Sequence, residues 1–379
     1  MRLTDGDYTA IDDRLAAHDA FLKARYPGER PGRQPVHTVY IPADRVAGFR
    51  DWGAQALEAM HRYDFAFEGA DAVRAKLERE PIEDLRVDLE DGYGVRDDDQ
   101  EDNAVRTAVA VLKAGPVPPF VGIRIKSLEA ATRHRALRTL DLFLSSYQDP
   151  FIITLPKVSG TDQVAAMVSL CARLEKAYGL GAGTLTFEIQ IELPSAVLGA
   201  DGAATVAQLI TAADGRATAL HYGTYDYSAA AGIAAAYQSM EHPAADHAKA
   251  VMQAAAAQTG VRLSDGSTNV LPVGTPAEVR AAWALHHRLV RRSLERGYYQ
   301  GWDLHPVQLP TRYAATYAFF RDGREAAVTR LRRYLDRQSG GIADEPATAR
   351  ALAGYLLRGL DCGAFADAGF AREQLTALA

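Results

Sequence analysis

Polar side chains that can bind ions follow several short apolar segments of the chain. Carboxylates gathered at one edge of a protein repel each other unless a cation lies among them. Oxygen ligands without a cysteine or histidine pair suit a hard divalent ion, Mg²⁺ or Mn²⁺. The residues concerned are Asp88, Glu90, Asp91, Arg124, Lys126, Lys157, Glu192, Asp226, Asp265 and His305.

Such a set of side chains suits chemistry on a carbonyl compound. A Mg²⁺ ion held by one or two carboxylates keeps open positions for substrate oxygens and can polarise a carbonyl. Cleavage of a carbon–carbon bond beside a carbonyl leaves an enolate, whose charge must be stabilised. An arginine suits that task because its planar fork binds a carboxylate at two points. The base stays open among Glu90, Asp91 and a water at the metal.

Short β-branched segments alternate with longer amphipathic segments, which predicts eight strands separated by helices. The alternation fits either a doubly wound open sheet or a (β/α)8 barrel. Because no GxGxxG follows the first strand, we predict the α/β fold of a (β/α)8 TIM barrel, with the polar residues on its carboxyl-terminal rim. The predicted strands are Val36–Ile41, Leu85–Leu89, Phe120–Ile125, Phe151–Leu155, Leu185–Ile191, Ala217–Tyr222, Val261–Leu263 and Trp302–Leu304.

Two segments flank this repeat. Residues 1–35 are predicted as an N-terminal helical extension, 36–310 as the catalytic barrel and 311–379 as a C-terminal helical segment. The C-terminal segment is predicted as helices Tyr313–Phe320, Glu325–Arg337 and Ala347–Leu360, with a loop over 338–346. Its apolar spacing needs a surface to cover, which its own barrel or a neighbouring subunit could provide.

Composition narrows the class of protein. The 379 residues carry a formal net charge of −6, spread along the chain, which argues against a nucleic-acid or membrane-surface partner. The two cysteines, Cys171 and Cys362, provide no disulfide framework and suit a reducing compartment. The first residues include acidic side chains from Asp5 onward and no apolar segment typical of a signal peptide. We therefore predict a soluble cytoplasmic protein.

Each polar residue taken alone has a structural explanation as well. A single carboxylate at a strand end is commonly a helix cap, and Arg124 or Lys157 could form an ordinary ion pair. His305, before Pro306, could satisfy a loop carbonyl. The acidic run RDDDQED at 96–102 is predicted to be a solvated loop. The conjunction of carboxylates and cations at successive strand ends is what favours a functional rim.

The strand-end segments resemble the HpcH/HpaI aldolase/citrate lyase family, in its citrate lyase β-subunit-like branch. The similar segments occur in the family's order and cover most of the predicted barrel. The pair Glu90–Asp91 before Gly92 is typical of that branch, whereas the pyruvate aldolases usually have a Glu–His pair. The segments are VDLEDG, the arginine of GIRIK, LPKV, IELPSAV, YGTYDYSAAAG and LHPVQL.

The resemblance implies a Mg²⁺-binding barrel and a role for particular residues. Glu192 and Asp226 would be the metal ligands, Arg124 would bind the substrate carboxylate or enolate oxygen, and Glu90 and Asp91 would lie beside the metal. Lys157 and His305 are further substrate-binding candidates. The chain departs from the family where Lys126 replaces a common Asn, in a longer and more acidic loop after VDLEDG, and in an extra helical stretch over 313–337.

Three functions follow from these expectations. The first is a Mg²⁺-dependent carbon–carbon lyase acting on a small 3-hydroxy acid or its acyl thioester, with coenzyme A thioesters as candidates. The second is a phosphoenolpyruvate- or pyruvate-utilising enzyme on the same barrel, and the third a non-catalytic regulatory barrel. The expected partner is a small carboxylate or thioester rather than nucleic acid or a membrane. The resemblance also implies a homo-oligomer, a trimer or hexamer.

Overall fold

Eight parallel strands form the centre of the molecule, which a computed structural model describes over residues 2–336 and 345–379. The hydrogen-bonded order is β7-β6-β5-β4-β3-β2-β1-β8, and a bridge between Ser264 and Gln300 joins the two ends of the sheet. The predicted (β/α)8 barrel is therefore confirmed. The strands are β1 His37–Pro42, β2 Asp84–Asp88, β3 Phe120–Arg124, β4 Ile152–Leu155, β5 Thr186–Ile191, β6 Ala217–Tyr222, β7 Arg262–Ser264 and β8 Gly301–Asp303.

Alternation along each strand separates an apolar outer face from a polar interior. On β2, Val87 packs in the main core between strands and helices, whereas Arg86 reaches across the barrel to Glu188 of β5. Because β2 and β5 are not neighbours in the sheet, both of these charged side chains lie inside the barrel. The polar residues two positions further along each strand therefore point towards its carboxyl-terminal mouth.

Helices surround the sheet, and several begin at residues that the sequence marks as caps. Thr275 and Glu278 form a capping box before a helix that starts with Pro276. The helices are α1 Asp5–Arg25, α2 Trp52–Arg62, α3 Ala70–Arg79, α4 Asp98–Lys113, α5 Arg133–Ser146, α6 Thr161–Tyr178, α7 Pro194–Val197, α8 Thr205–Ala212, α9 Thr224–Ala230, α10 Pro243–Ala256, α11 Pro276–Glu295, α12 Leu309–Leu335, α13 Pro346–Cys362 and α14 Arg372–Leu378. Short 3₁₀ helices span Ala43–Asp51, Ala235–Tyr237 and Pro306–Gln308.

The extra stretch after the last strand differs from its prediction. It is one continuous helix, α12, rather than two, and it packs against α11 on one side and against α2 and α3 on the other. It thus occupies the place of the eighth helix of the barrel and crosses the predicted boundary between residues 310 and 311. The division into three segments stays a prediction.

A buried charge cluster attaches α12 to the strands. Asp303 at the end of β8 is fully buried and accepts hydrogen bonds from His37 at 2.8 Å and Arg312 at 2.9 Å. His286 of α11 lies 3.1 Å from the same carboxylate. Burial opposes the charge of Asp303, but Arg312 and the two histidines outweigh it and hold its pKa well below the usual value. One carboxylate therefore ties β1, α11 and α12 to β8.

The C-terminal segment covers its own barrel. Helix α13 packs on α12, where Tyr355 donates a hydrogen bond to the carbonyl of Phe319 at 2.6 Å, and α14 packs on α13. Leu331, Leu356 and Leu375 form part of a second, smaller core among these helices. The predicted loop over 338–346 and the predicted helix end at 337 lie largely outside the described residues. The apolar tail thus finds the surface that it needed without a second subunit.

Helix α1 contributes nothing to either core. None of its residues is buried, and near its end Arg25 donates a hydrogen bond to the carbonyl of Ala207 at 2.9 Å. Within the described ranges, none of the helices combines the length and apolar character that a membrane crossing requires. The cytoplasmic location stays a prediction.

Candidate functional site

Four carboxylates converge on one lysine at the carboxyl-terminal mouth of the barrel. The ammonium nitrogen of Lys157 lies 2.8 Å from Asp226 Oδ1 and 2.9 Å from Asp91 Oδ2. Glu90 Oε1 and Glu192 Oε2 are each 3.8 Å from it. The structure therefore brings together five of the residues that the sequence singled out.

The backbone at Lys157 is built to reach these carboxylates. Its φ of +51° lies in the left-handed region, which costs a non-glycine residue roughly 1–2 kcal/mol. In this conformation its N–H donates to Glu192 Oε1 at 2.5 Å, while the side chain turns towards the other acids. Burial opposes the charge of Lys157, but the surrounding carboxylates outweigh it and raise its pKa. Lys157 is thus fixed to the acidic cluster through both its backbone and its side chain.

Arg124, at the end of β3, is held in place by a buried carboxylate. Its Nε and Nη2 donate to the two oxygens of Asp88 at 2.6 and 2.7 Å. Its Nη1 lies 3.4 Å from Glu90 Oε2, and the guanidinium carbon is 4.7 Å from the centre of the Tyr40 ring. Burial opposes its charge, yet Asp88 raises its pKa well above the usual value. Asp88 therefore binds one edge of the guanidinium at two points, and the binding of a substrate carboxylate by Arg124 stays a prediction.

Asp88 also shapes the loop that carries Glu90 and Asp91. Its two oxygens accept the backbone N–H groups of Glu90 and Gly92, both at 3.0 Å. A Cβ at position 92 would lie 2.5 Å from Asp88 Oδ2, so this turn requires glycine. The segment VDLEDG is therefore one unit, in which Asp88 orients Arg124 and the loop together.

Glu192 and Asp226, the predicted metal ligands, lie on the same side of the barrel mouth. Glu192 is only 1% exposed, and Gly223 permits its close approach, since a Cβ there would lie 2.5 Å from the Cβ of Glu192. Burial, together with the charge of Asp226, raises the pKa of Glu192 to about 7. Both carboxylates lie around the same ammonium group, so they can face a common cation. Among the described residues, no group of three or more histidine, cysteine, aspartate or glutamate side chains has a metal-binding arrangement. A Mg²⁺ site here would consist of two carboxylates and water.

The two acids after β2 differ in their affinity for a proton. Burial and the nearby charges of Asp91 and Glu192 raise the pKa of Glu90 to about 7, although Arg124 and Lys157 oppose the shift. Burial of Asp91 would also raise its pKa, but the hydrogen bond and charge of Lys157 lower it. Glu90 is therefore the better proton acceptor of the two near neutral pH.

The sequence predicted that the acidic run over 96–102 is a solvated loop, and this prediction is wrong for its last residues. The run instead supports the loop that carries Glu90 and Asp91. Helix α4 begins within it at Asp98, and both Glu101 and Asp102 are buried. Asp102 accepts hydrogen bonds from Arg135 and Arg138 at 2.7 and 2.6 Å. The arginines of α5, which sequence spacing did not connect with the run, are what allow its last two acids to be buried.

Lys126 connects the same run to the loop that carries Glu90 and Asp91. Its ammonium donates to the carbonyls of Leu89 and Gly94 at 2.9 and 3.2 Å, on either side of Glu90 and Asp91. It also lies 3.3 Å from the buried carboxylate of Glu101. Lys126 is therefore a support for the loop that holds the two acids rather than a member of the acidic cluster.

Two predicted rim residues lie outside the cluster. His305 caps the 3₁₀ helix Pro306–Gln308 by accepting the N–H of Val307 at 3.2 Å, rather than by satisfying a loop carbonyl as its structural explanation expected. Asp265 turns towards the helical layer, where Lys249 and Ser293 donate to it at 2.9 and 2.6 Å. A substrate-binding role for His305 stays a prediction.

The interior beneath the mouth contains residues that sequence reasoning missed as functional candidates. Tyr40 lies under Arg124 and hydrogen bonds to Glu188 Oε1 at 3.2 Å and to His221 at 3.3 Å. Gln190 is fully buried two positions before Glu192, and its amide atoms have no hydrogen-bond partner among the described residues. The available signal was the alternation of Glu188, Gln190 and Glu192 along one strand, which places all three on its inner face.

Solved structures of a citrate lyase, of CitE and of a malate synthase have the same fold. A citrate lyase from Burkholderia xenovorans LB400 is 19% identical, with a TM-score of 0.62 and coverage of 88% of this chain and 96% of that one. Mycobacterium tuberculosis CitE in complex with magnesium, acetoacetate and coenzyme A is 18% identical, with a TM-score of 0.55 and coverage of 88% of this chain and 99% of that one. Haloferax volcanii malate synthase in a magnesium/glyoxylate complex is 15% identical, with a TM-score of 0.54 and coverage of 76% of each chain.

These similarities confirm the resemblance predicted from the sequence at the level of the fold. A search of curated proteins finds no significant match. A family model described as a domain of unknown function, DUF6986, matches residues 15–379. Since that match spans nearly the whole barrel and its C-terminal helices, the chain belongs to the DUF6986 family.

Proposed function

We propose that this protein is a Mg²⁺-dependent carbon–carbon lyase of the citrate lyase β type. Its substrate would be a small 3-hydroxy acid or the acyl thioester of one, including coenzyme A thioesters. The observation that carries the proposal is the placement of a fixed arginine, Arg124, beside Glu90 at a mouth lined by Glu192 and Asp226. The magnesium complexes of the CitE and malate synthase structures support the proposal by analogy of fold.

Arg124 would stabilise the negative charge that develops during cleavage. The bond between the α- and β-carbons breaks, and its electron pair passes to the α-carbon and its carbonyl oxygen as an enolate. A guanidinium already oriented by Asp88 needs no rearrangement when that charge appears. Removal of one such donor typically slows a reaction by about 10²–10³-fold. The edge of Arg124 that carries Nη1 is the one directed to the mouth, towards Glu90.

Glu90 would act as the base of this reaction. In cleavage the proton leaves the β-hydroxyl group of the substrate, and in the reverse condensation it leaves the methyl group of the smaller product. A carboxylate with a pKa of about 7 can accept that proton and return it near neutral pH. Asp91 is less suited because Lys157 holds it in the ionised form.

Glu192 and Asp226 would hold the metal ion, Mg²⁺ or Mn²⁺. When bound, such an ion supplies Lewis-acid stabilisation of a carbonyl or enolate oxygen. The physical reason to assign these two residues to the metal is that their carboxylates lie around one point, where both can offer oxygens to a common cation. Lys157 and His305 stay candidates for substrate binding, and of the two only Lys157 contacts the acidic cluster.

The alternatives differ in what they do with the smaller product. A malate-synthase-like condensation would use the same enolate with glyoxylate, whereas a pyruvate- or phosphoenolpyruvate-utilising enzyme would form an enolate from pyruvate. A regulatory barrel would form none. Exchange of α-protons with solvent therefore separates the lyase and the malate-synthase-like enzyme, which share a thioester enolate, from the pyruvate enzyme and from the regulatory barrel.

The test is proton NMR in D₂O with acetyl-CoA, propionyl-CoA, pyruvate or oxaloacetate, each with and without Mg²⁺ and glyoxylate. We expect the α-proton signal of one thioester to decay only with Mg²⁺, and Arg124→Lys to slow this decay by about 10²-fold or more. Exchange with pyruvate alone would reject the citrate lyase assignment in favour of the pyruvate enzyme. Exchange by Arg124→Lys at the wild-type rate would show that the guanidinium is only structural.

A further inference from the structure

We propose that Lys157 is an internal counter-ion that competes with the divalent ion for the carboxylates of the site. This inference rests on the proposed function, because it concerns the same metal ligands. Its basis is the position of the ammonium group, at the point where the side chains of Glu90, Asp91, Glu192 and Asp226 converge.

The contact with Asp226 makes the competition direct. Asp226 Oδ1 accepts the ammonium at 2.8 Å, and the same carboxylate would have to bind the metal. Mg²⁺ lies about 2.1 Å from its oxygen ligands and demands near-octahedral geometry, so the ammonium cannot stay at the centre of the cluster beside it. The lysine must turn towards Asp91, or leave the cluster, for the ion to bind.

The surroundings of Lys157 favour such a movement. Its side chain is 17% exposed, while Asp91 and Asp226 are 55% and 44% exposed, so one side of the cluster opens to solvent. The backbone is fixed independently of the ammonium, because the N–H of Lys157 donates to the buried Glu192 at 2.5 Å. The side chain can therefore change partner while the backbone of the turn stays in place.

Charge balance explains why a lysine would be useful at this position. Without a cation, four carboxylates lie within 4 Å of one point, and among the described residues Arg124 offsets their charge from the side of Glu90. An ammonium group at that point offsets the repulsion among these carboxylates while no metal is bound. The consequence is a weaker apparent affinity for the metal, because binding must displace a positive charge that already neutralises the ligands.

The test measures Mn²⁺ affinity by electron paramagnetic resonance of the free ion, with no substrate present. We expect Lys157→Met to bind Mn²⁺ about tenfold or more tightly than the wild type, since two positive charges a few ångströms apart repel strongly. Lys157→Arg, the matched control, keeps the charge and should bind with an affinity close to that of the wild type. Glu192→Gln should lose Mn²⁺ binding.

The outcomes distinguish failure of the competition by Lys157 from failure of the metal site in the proposed function. Equal or weaker Mn²⁺ binding by Lys157→Met would overturn the competition and leave the metal site of the proposed function standing. Wild-type affinity in Glu192→Gln would reject the metal ligand instead. Absence of Mn²⁺ binding in every variant would reject both.

A second measurement covers the case in which Lys157→Met does not fold. Crystals of the wild type with and without MnCl₂ should differ in the contact between Lys157 and Asp226, which we expect to be lost when Mn²⁺ is present. A 2.8 Å contact that persists with Mn²⁺ bound to Glu192 and Asp226 would overturn the inference.

Discussion

Asp88→Asn tests whether the arginine of the site depends on its buried partner. The substitution keeps the size of the side chain but removes the charge opposite Arg124, and its new amide group faces donors at 2.6 and 2.7 Å. Leaving a buried charge without its partner costs about 3–5 kcal/mol. We expect a loss near the lower end, about 3 kcal/mol of unfolding free energy, because Glu90 remains 3.4 Å from the guanidinium.

The effect on catalysis should be larger than stability alone explains. A shift of Arg124 by about 1 Å can slow a reaction by about 10²-fold, so α-proton exchange should slow by that factor while Mn²⁺ affinity is nearly unchanged. Asp265→Asn is a matched control, since Asp265 is also a buried carboxylate but pairs with Lys249 and Ser293, away from Arg124. Urea unfolding, proton NMR in D₂O and Mn²⁺ binding measure the three quantities. Exchange by Asp88→Asn at the wild-type rate, or an equal slowing in Asp265→Asn, would refute the positioning role.

Two further predictions concern the stability and assembly of the fold. Hydrogen bonds from Arg138 and Arg135 lower the pKa of Asp102 to about 2, although burial opposes the shift. The ionised Asp102 therefore stabilises the fold above pH 4, and this contribution is lost as the pH falls towards 2. Asp102→Asn should lower the free energy of unfolding by about 1–2 kcal/mol at pH 6. This loss is smaller than the full pKa shift suggests, because Arg138 is 57% exposed and solvent screens its charge. Urea unfolding measures the loss, and a loss that does not change with pH would contradict the prediction. For assembly, we expect a homo-oligomer, a trimer or hexamer, and a light-scattering mass near the monomer's 41.0 kDa would reject it.

The eight strands could be predicted from sequence because each is a short buried apolar run bounded by turn residues. All eight observed strands lie within one residue of the predicted bounds at each end. Helix Thr224–Ala230 was harder to predict than the strands, because its segment, TYDYSAA, is short and carries no apolar period of its own. Tertiary contacts around β6 rather than local propensity fix that helix.

The C-terminal region shows why an apolar pattern does not identify its partner. The spacing of apolar residues after residue 310 correctly predicted helices that bury one face. It could not show that the buried face lies on α11 and α3, and this contact removes the tail as an argument for oligomers. The buried cluster of Asp303, His37, His286 and Arg312 joins residues up to 275 positions apart, beyond the reach of any local pattern.

The sequence predicted which residues lie at the candidate site, but it did not predict which of them contact each other. Strand-end position placed Glu90, Asp91, Lys157, Glu192 and Asp226 at one mouth, where the structure brings them together. That Asp88 takes both donors of the Arg124 fork depends on the register of β2 and β3, in which these two residues are direct neighbours. Sequence alone does not set that register.

Two of the three departures from the citrate lyase pattern that the resemblance indicates are in contact with each other. Lys126 replaces a residue that is commonly Asn, and the acidic run lengthens the loop after VDLEDG, yet the two meet where Lys126 contacts Glu101. The same ammonium donates to the carbonyls of Leu89 and Gly94, and the buried Glu101 supplies its counter-charge. Without these contacts the segment between β2 and α4 would restrain Glu90 and Asp91 less. Lys126 and Glu101 together thus hold the loop in the conformation in which its acids face Arg124 and Lys157.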